Sequence, residues 1–341
     1  MTVFLAFNEA EGLTTIGTPQ ADTTYTNVAS VARAGFYSDC TATGVTQSAD
    51  FAPISECWVH ARIRAVERAV TSTSNGDIFQ ILDTAGTPVV SLRMNRTGVA
   101  VGSLFLDTPT QTIALDTGIS QPAGVTYDWD FNIKLDPTSG FIYVYRNGSL
   151  ISSETGNTVV TSGVTQLDQL NFIQKYALGV DVATLTRACS FGQVVVSSSN
   201  TLNCKLYTLT PTAGSINTWD TGAITDVDET NIDDTDKATT TTNGDEFTMD
   251  TSDTLATPTL PFVYTAVVQT FRLNYDTGSP VTKASALLND TTATSTSYGT
   301  SQTLTTGLAP YKEIWLTDPA DAGSWTAAKI NNYEFGVRAD T

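Results

Sequence analysis

Strict alternation of apolar and polar side chains over residues 129–135 is the feature that most constrains the fold. The apolar positions are Trp129, Phe131, Ile133 and Leu135, and a polar residue separates each from the next. A period of two is typical of a β-strand with one buried face. Because such a face must be covered by a second layer, the alternation predicts a two-layer β-structure with these four side chains in its interior.

Turn sequences follow this strand at the next two reversals of the chain. Residues 136–140, DPTSG, offer a hydrogen-bond acceptor, a proline with a preset φ and a glycine for a positive φ. Asn147 and Gly148 are the pair that best tolerates the left-handed conformations of a two-residue hairpin turn. Residues 127–156 are therefore predicted to form three antiparallel strands.

Further hairpins are predicted along the rest of the first two thirds of the chain. The predicted strands are 78–82 and 89–93 around DTAGTP, 99–106 and 112–115 around DTPTQ, and 191–196. We therefore expect an all-β chain whose first domain, residues 1–205, is a β-sandwich.

A second, smaller β domain is expected over residues 206–341. It begins with an acidic, threonine-rich connecting segment, 211–257, in which the periodicity weakens. The predicted elements after it are strands at 262–275, 311–316 and 333–339, and one helical turn at 325–330 with Ser324 as its N-cap.

The charge of the chain limits its partners. It has 17 basic and 35 acidic side chains and a net charge of −18. Such a charge repels phosphate backbones and anionic lipid head groups, so we expect neither nucleic acid nor a membrane as a partner. No apolar run approaches the roughly 20 residues that span a bilayer. Residues 1–13 lack the basic flank and long apolar segment of a secretion signal, so we expect folding in the cytoplasm of the producing cell.

The cysteines show no metal-binding spacing. Cys40, Cys57, Cys189 and Cys204 form neither a CxxC pair nor a zinc-finger pattern. Cys57 shares the apolar phase of its strand, which predicts a buried free thiol. A disulfide is the alternative.

The single histidine belongs to one strand face with three other notable side chains. Trp58, His60, Arg62 and Arg64 alternate with apolar residues and therefore share a face. We expect His60 to be an exposed strand residue, because one histidine excludes a two-histidine mechanism. The alternative is that these four side chains bind a ligand.

One acidic cluster is dense enough to hold a cation. Asp226, Asp228, Asp233 and Asp234 offer oxygen ligands for Ca²⁺, but the order of an EF-hand loop is missing. A solvated acidic connector is the preferred interpretation and a calcium site is the alternative. No other cofactor is expected.

Motifs of catalysis are absent from the sequence. It contains no G-x-S-x-G elbow, no P-loop, no G-x-G-x-x-G after a strand and no pairing of cysteine with histidine. We therefore expect that the protein is not an enzyme.

Two parts of the chain resemble known families. Residues 129–151, WDFNIKLDPTSGFIYVYRNGSLI, resemble the core of a laminin-G/concanavalin-like jelly roll, with Tyr143, Val144, Asn147 and Gly148 in matching places. Residues 191–236 and 311–337 are similar to the C-terminal part of a group of tailed-bacteriophage virion proteins. The matching residues there are Asp318, Pro319, Gly323, Trp325, Thr326, Asn331 or Asn332, Glu334 and Gly336.

The resemblance implies a jelly-roll sandwich followed by a smaller β domain. It also implies a structural component of a bacteriophage particle, displayed on the outer surface as capsid decoration, head fibre or tail appendage. Its partners would be other capsid or tail proteins. Lectin-type calcium ligands have no match at the corresponding positions, so the resemblance does not imply sugar binding.

The chain lacks the heptads of a coiled coil, so we expect a compact protein rather than a fibre. Because sandwich domains expose edge strands that association can cover, we also expect a homo-oligomer, a homotrimer, closed by cyclic symmetry. Two other functions stay open. A host-recognition module would bind host-surface glycans through the face of Trp58, His60, Arg62 and Arg64. A hydrolase acting on surface polysaccharide would need a pair of carboxylates in a cleft.

Overall fold

The structure is a computed structural model of the chain. It describes residues 2–7, 13, 19–21, 36–38, 45–65, 76–95, 103–114, 125–174, 189–206, 209, 211–223, 237–251, 263–292 and 295–341. The chain divides into two compact units, Met1–Leu206 and Tyr207–Thr341. Within the described residues both units are built from antiparallel strands, with one short helix in the second.

The first unit is a sandwich of two antiparallel sheets. Its strands are β1 (Val3–Phe7), β2 (Pro19–Ala21), β3 (Phe36–Ser38), β4 (Val45–Ile54), β5 (Glu56–Ala65), β6 (Gly76–Asp83), β7 (Pro88–Asn95), β8 (Ser103–Asp107), β9 (Thr112–Ala114), β10 (Thr126–Lys134), β11 (Gly140–Arg146), β12 (Ser149–Gly156), β13 (Leu167–Gln174) and β14 (Cys189–Ser197). Sheet A has eight strands in the order β12-β11-β10-β5-β14-β3-β2, with β1 also paired to β14. Sheet B has six, in the order β4-β13-β6-β7-β8-β9.

The chain passes repeatedly from one sheet to the other, as in a jelly roll. It crosses after β3, β4, β5, β9, β12 and β13, so strands adjacent in sequence often lie in opposite layers. The all-β sandwich that the alternation predicts is therefore confirmed, and the hairpin of β6 and β7 lies where DTAGTP places it.

The predicted interior side chains fill the space between the sheets. Trp129, Phe131 and Ile133 are fully buried and Leu135 is nearly so. The ring of Phe131 lies 5.6 Å from that of Phe79 on β6 of the opposite sheet. Burying side chains of this size contributes about 1.5–3 kcal/mol each, which explains why the strand adopts this phase.

Of the two predicted turns, one is confirmed in full. Asn147 and Gly148 have φ values of 48° and 77°, the left-handed conformations of a tight hairpin turn. The other turn differs at Gly140, which does not have a positive φ. Glycine is needed there for space, because an added Cβ would lie 2.0 Å from the Thr158 hydroxyl oxygen.

The second unit consists of a sheet, a two-stranded ribbon and one helix. Its elements are β15 (Pro211–Asn217), β16 (Glu246–Thr251), β17 (Val267–Leu273), β18 (Lys283–Asp290), β19 (Ser295–Tyr298), β20 (Gln302–Thr303), β21 (Ala309–Trp315), α1 (Ala327–Ile330) and β22 (Tyr333–Asp340). Sheet C has the order β15-β16-β22-β18-β19, with β20 paired to β18, and β17 pairs with β21 in the ribbon.

Three expectations about the second unit need correction. Segment 211–257 is not only a connector, because β15 and β16 lie within it and pair with each other. The strand expected over 262–275 is shorter, Val267–Leu273. The N-cap of α1 is Thr326 rather than Ser324, because the Thr326 hydroxyl accepts the Lys329 backbone N–H.

Gln269 on β17 links the two-stranded ribbon to sheet C through hydrogen bonds. Its amide nitrogen donates to the carbonyl oxygens of Leu287 and Gly336, and its amide oxygen accepts the indole N–H of Trp315. Because Gln269 is buried, satisfying its polar atoms avoids a desolvation cost.

In the described part of the chain, no helix is long and apolar enough to cross a membrane.

Candidate functional site

The outer face of sheet A carries the four side chains that the sequence placed together. On β5, the side chains of Val59, Ala61 and Ile63 point into the core and those of Trp58, His60, Arg62 and Arg64 lie on the other face. β10 pairs with β5 along this whole stretch, so its polar residues alternate on the same face. The predicted common face is therefore correct.

His60 is buried, and the expectation that it is exposed is wrong. Its register partner is Asp130 on β10, and the imidazole Nδ1 lies 2.8 Å from the Asp130 Oδ1. The Thr201 hydroxyl donates to the same carboxylate oxygen at 2.8 Å. Thr201 follows β14 and is itself fully buried, so the segment after β14 closes over the pair.

A second carboxylate on this face is held by cations. Lys205 Nζ lies 2.8 Å from Asp128 Oδ2, and Arg62 Nε lies 3.6 Å from Oδ1. Burial alone would raise the pKa of Asp128, but the hydrogen bond from Lys205 and the neighbouring positive charges outweigh it, so the pKa is lowered. Asp128 therefore stays ionised and anchors Lys205 to β10.

A thiol lies near this buried pair, but its state does not favour nucleophilic chemistry. Burial, together with the negative charge of Asp130, raises the pKa of Cys204 to about 11. The thiol is therefore protonated at neutral pH, and the thiolate is the reactive species. The His60 Nε2, which could act as a base, is buried without a hydrogen-bond partner, so the His60–Asp130 pair serves the fold.

The aromatic part of the outer face lies beside this buried pair. Trp58 on β5, Asn132 on β10 and Tyr143 on β11 are register partners and form one row across three strands. Trp58 stacks on Tyr145 with ring centroids 5.7 Å apart, and Tyr143 stacks on Phe141 at 5.1 Å. We call Trp58, Asn132, Tyr143 and Tyr145 the aromatic row. All four side chains are half-buried, and the Asn132 Oδ1 has no hydrogen-bond partner.

Arg64 lies away from the aromatic row. Its register partners are Thr126 on β10 and Ser190 on β14, two rows beyond His60. The four side chains thus share a face but differ in environment: Trp58 belongs to the aromatic row, His60 is buried against Asp130, and the two arginines are half-buried.

The structure does not test the calcium site that the acidic cluster could form. Asp226, Asp228, Asp233 and Asp234 lie outside the residues that the structure describes. Within those residues, no group of three or more histidine, cysteine or acidic side chains is arranged to hold a metal ion. Cys57, Cys189 and Cys204 are free thiols, and Cys40 lies outside the described ranges.

An acidic cluster at the end of sheet B was not anticipated from the sequence. Burial and the negative charges of Asp50 and Asp83 raise the pKa of Asp168. Asp83 is itself buried and accepts the backbone N–H groups of Ala85 and Thr87. No local motif marks this cluster, because its members come from β4, β6 and β13 and meet only through strand pairing.

In the second unit, Asp318 connects the residues between β21 and β22 through hydrogen bonds. Its carboxylate accepts the Tyr333 hydroxyl and the Ala320 backbone N–H, and it pairs with Lys329 at 2.9 Å. Burial acts to raise the pKa of Asp318, but the hydrogen bonds from Tyr333 and Lys329 lower it overall.

Other residues in this part of the chain also serve the fold. The Trp325 indole N–H donates to the Trp315 carbonyl. Glu334 Oε2 accepts Asn289 at 2.8 Å and the Thr248 hydroxyl at 3.2 Å. An added Cβ at Gly336 would lie 2.2 Å from the Phe247 carbonyl oxygen.

Known proteins resemble the chain only distantly. No family model matches it, and neither does any curated protein. Among solved structures, an alginate lyase mutant in complex with an alginate trisaccharide is 14% identical, with a TM-score of 0.34, covering 46% of this chain and 75% of its own. A heptameric SAP-like pentraxin from Limulus polyphemus is 13% identical, with a TM-score of 0.32 and coverages of 54% and 79%. The cellulose-induced protein Cip1 is 16% identical, with a TM-score of 0.33 and coverages of 54% and 88%. Likenesses at this level carry no argument about function.

Proposed function

We propose that the protein is a non-catalytic structural component of a bacteriophage particle, displayed on its outer surface as capsid decoration, head fibre or tail appendage. The observation that carries this proposal is the structural role of the residues in which the sequence resembles tailed-phage virion proteins. Asp318, Trp325, Glu334 and Gly336 all hold the second unit together through hydrogen bonds or close packing. None of these four residues is left over for chemistry on a ligand, which supports a structural role.

The chemistry of the described residues supports a non-catalytic role. His60 is closed from solvent, and burial raises the pKa values of the Cys57 and Cys204 thiols to about 12 and about 11. The acidic cluster around Asp168 is one place where carboxylates influence each other. Incubation of the protein with surface polysaccharides should release no new reducing ends, and release that Asp168→Asn abolishes would contradict the proposal.

The proposed partners are other capsid or tail proteins and further copies of the same chain in a homotrimer. β12 is an end strand of sheet A, and Leu150 on it is 54% exposed. End strands present unpaired backbone groups that proteins cover or blunt, and association around an axis is one way to cover them. Light scattering on the purified chain at micromolar concentration should give the mass of three copies, and a strict monomer would contradict the trimer.

Two experiments test whether the protein lies on the surface of a phage particle. Antibodies against the purified protein should label intact particles of the phage that encodes it, and mass spectrometry of gradient-purified particles should contain its peptides. Peptides without labelling would place the protein inside the particle and contradict surface display. Absence of the peptides would contradict the structural role itself.

A second candidate function is favoured by the aromatic row. Half-buried aromatic rings on the outer face of a sheet supply the stacking surface that a sugar ring uses. As a host-recognition module, the protein would bind host-surface glycans at Trp58 and Tyr143. On a glycan array, Trp58→Ala should remove binding, whereas Tyr298→Ala in the second unit should not. Equal loss in both variants, or no binding by the unaltered protein, would contradict this function.

A further inference from the structure

The turn between β11 and β12 holds an Asn-Gly step in an unusual environment. Asn147 and Gly148 are both exposed, but the Asn147 side chain is not loose. Its Oδ1 accepts the backbone N–H of Asp128 at 3.0 Å, and its own backbone N–H donates to the Asp128 carbonyl at 2.8 Å. The side-chain amide is therefore held against β10.

This arrangement matters because Asn-Gly steps can cyclise. When the Gly148 nitrogen attacks the Asn147 Cγ, negative charge develops on Oδ1. A donor about 2.7–3.1 Å from a developing oxyanion stabilises the transition state, and the Asp128 N–H lies at 3.0 Å. In the described part of the chain no acceptor takes the Gly148 N–H, and an added Cβ there would meet nothing within 4 Å. The attacking nitrogen is therefore not held by a hydrogen bond within the described residues.

We propose that Asn147 is a site of self-modification, promoted by the Asp128 backbone N–H. A bond forms between the Gly148 nitrogen and the Asn147 Cγ, and the bond from Cγ to Nδ2 breaks. Ammonia leaves with the proton that the Gly148 nitrogen loses, and a succinimide remains. Water then opens this ring to aspartate or isoaspartate.

The products change the charge and the backbone of the hairpin. Each hydrolysed chain gains one negative charge next to Asp128, which anchors Lys205. Isoaspartate also lengthens the backbone of a two-residue turn. The inference is independent of the proposed function, because it uses only the chemistry of this turn.

The chain contains an internal comparison at Asn243 and Gly244. Gly244 also follows an asparagine, but its N–H donates to the Ala339 carbonyl at 2.8 Å. This hydrogen bond must be broken before the Gly244 nitrogen can attack. A hydrogen bond of ordinary net strength therefore slows the attack between about twofold and about tenfold. Since both sites have glycine as the next residue, their reactivities should be similar in an unfolded chain.

The test is a time course of the purified full-length protein at mildly alkaline pH, both folded and in concentrated urea. Peptide mapping by mass spectrometry separates the two sites from each other and from Asn75, which also precedes a glycine. In the folded protein the rate at Asn147 should exceed that at Asn243 by about tenfold, and urea should bring the ratio near one. A folded ratio equal to or below the ratio in urea would overturn the proposal. Asn147→Gln should remove the modified hairpin peptide without changing the rate at Asn243.

Discussion

The imidazole Nδ1 of His60 lies 2.8 Å from the Oδ1 of Asp130, and each of these two side chains is only 1% exposed. The pair lies on the outer face of sheet A, where a half-buried strand would normally present polar groups to water. Thr201 completes the arrangement by donating to the same oxygen. A buried polar group without a partner is costly, so the three side chains depend on one another.

Removing Asp130 should therefore destabilise the first unit more than removing Thr201. Asp130→Ala leaves both His60 and Thr201 without their acceptor, and we expect a loss of about 3 kcal/mol. Thr201→Val removes one hydrogen bond and should cost about 1 kcal/mol. Urea unfolding followed by fluorescence measures both. Equal losses in the free energy of unfolding of the two variants would show that Asp130 contributes no more than a single hydrogen bond.

The thiols should be inert in the folded protein. Burial raises the pKa of Cys57 to about 12 and, with the charge of Asp130, that of Cys204 to about 11. In a Cys40→Ser background, iodoacetamide at neutral pH should modify none of the remaining cysteines until urea is added. Rapid modification of Cys204 in the native protein would show that its thiolate is accessible and contradict this account.

Strand phase was predictable from the sequence, whereas depth of burial was not. Alternation placed Trp129 and Phe131 in the core and Trp58 and His60 on the opposite face, because a pleated strand has only two faces. Whether the outer face is covered depends on Thr201, which lies far from His60 in sequence. The neighbours of Asn132 and the acidic cluster around Asp168 could not be predicted from the sequence for the same reason. Strand pairing brings together residues that are distant in sequence. The sequence of segment 211–257 predicts a connector because the polar strand β15 lacks a recognisable alternation.

Gly336 should tolerate no side chain. An added Cβ would lie 2.2 Å from the Phe247 carbonyl oxygen, within the pairing of β16 and β22. Gly336→Ala should therefore cost about 3 kcal/mol, the upper end of what overpacking usually costs. Gly307→Ala is the matched control, because an added Cβ there meets nothing within 4 Å. Thermal unfolding should separate the two variants clearly, and equal melting temperatures would contradict the packing of these strands.

The cap of α1 can be tested with two neighbouring residues. The Thr326 hydroxyl accepts the Lys329 N–H at 3.2 Å, so Thr326→Ala should cost about 1 kcal/mol. Ser324 is exposed and does not cap the helix, so Ser324→Ala should be nearly neutral. Urea unfolding of both variants provides the measurement. A larger loss at Ser324 would restore the assignment made from sequence.

Acid should weaken the second unit through Asp318. Burial acts to raise the pKa of this carboxyl, but the hydrogen bonds from Tyr333 and Lys329 lower it overall. A folded pKa below the unfolded value of about 3.9 means that the stabilisation is present above that value and is lost as the pH falls through the folded pKa.

The urea midpoint of the unaltered protein should therefore fall as the pH drops from about 5 towards the folded pKa of Asp318. Asp318→Asn should start from a lower stability at neutral pH and show a shallower decline. Asp276→Asn, at an exposed turn, is the control and should keep the steep decline of the unaltered protein. If Asp318→Asn declines as steeply as the unaltered protein, the acid sensitivity of the second unit arises from other carboxylates.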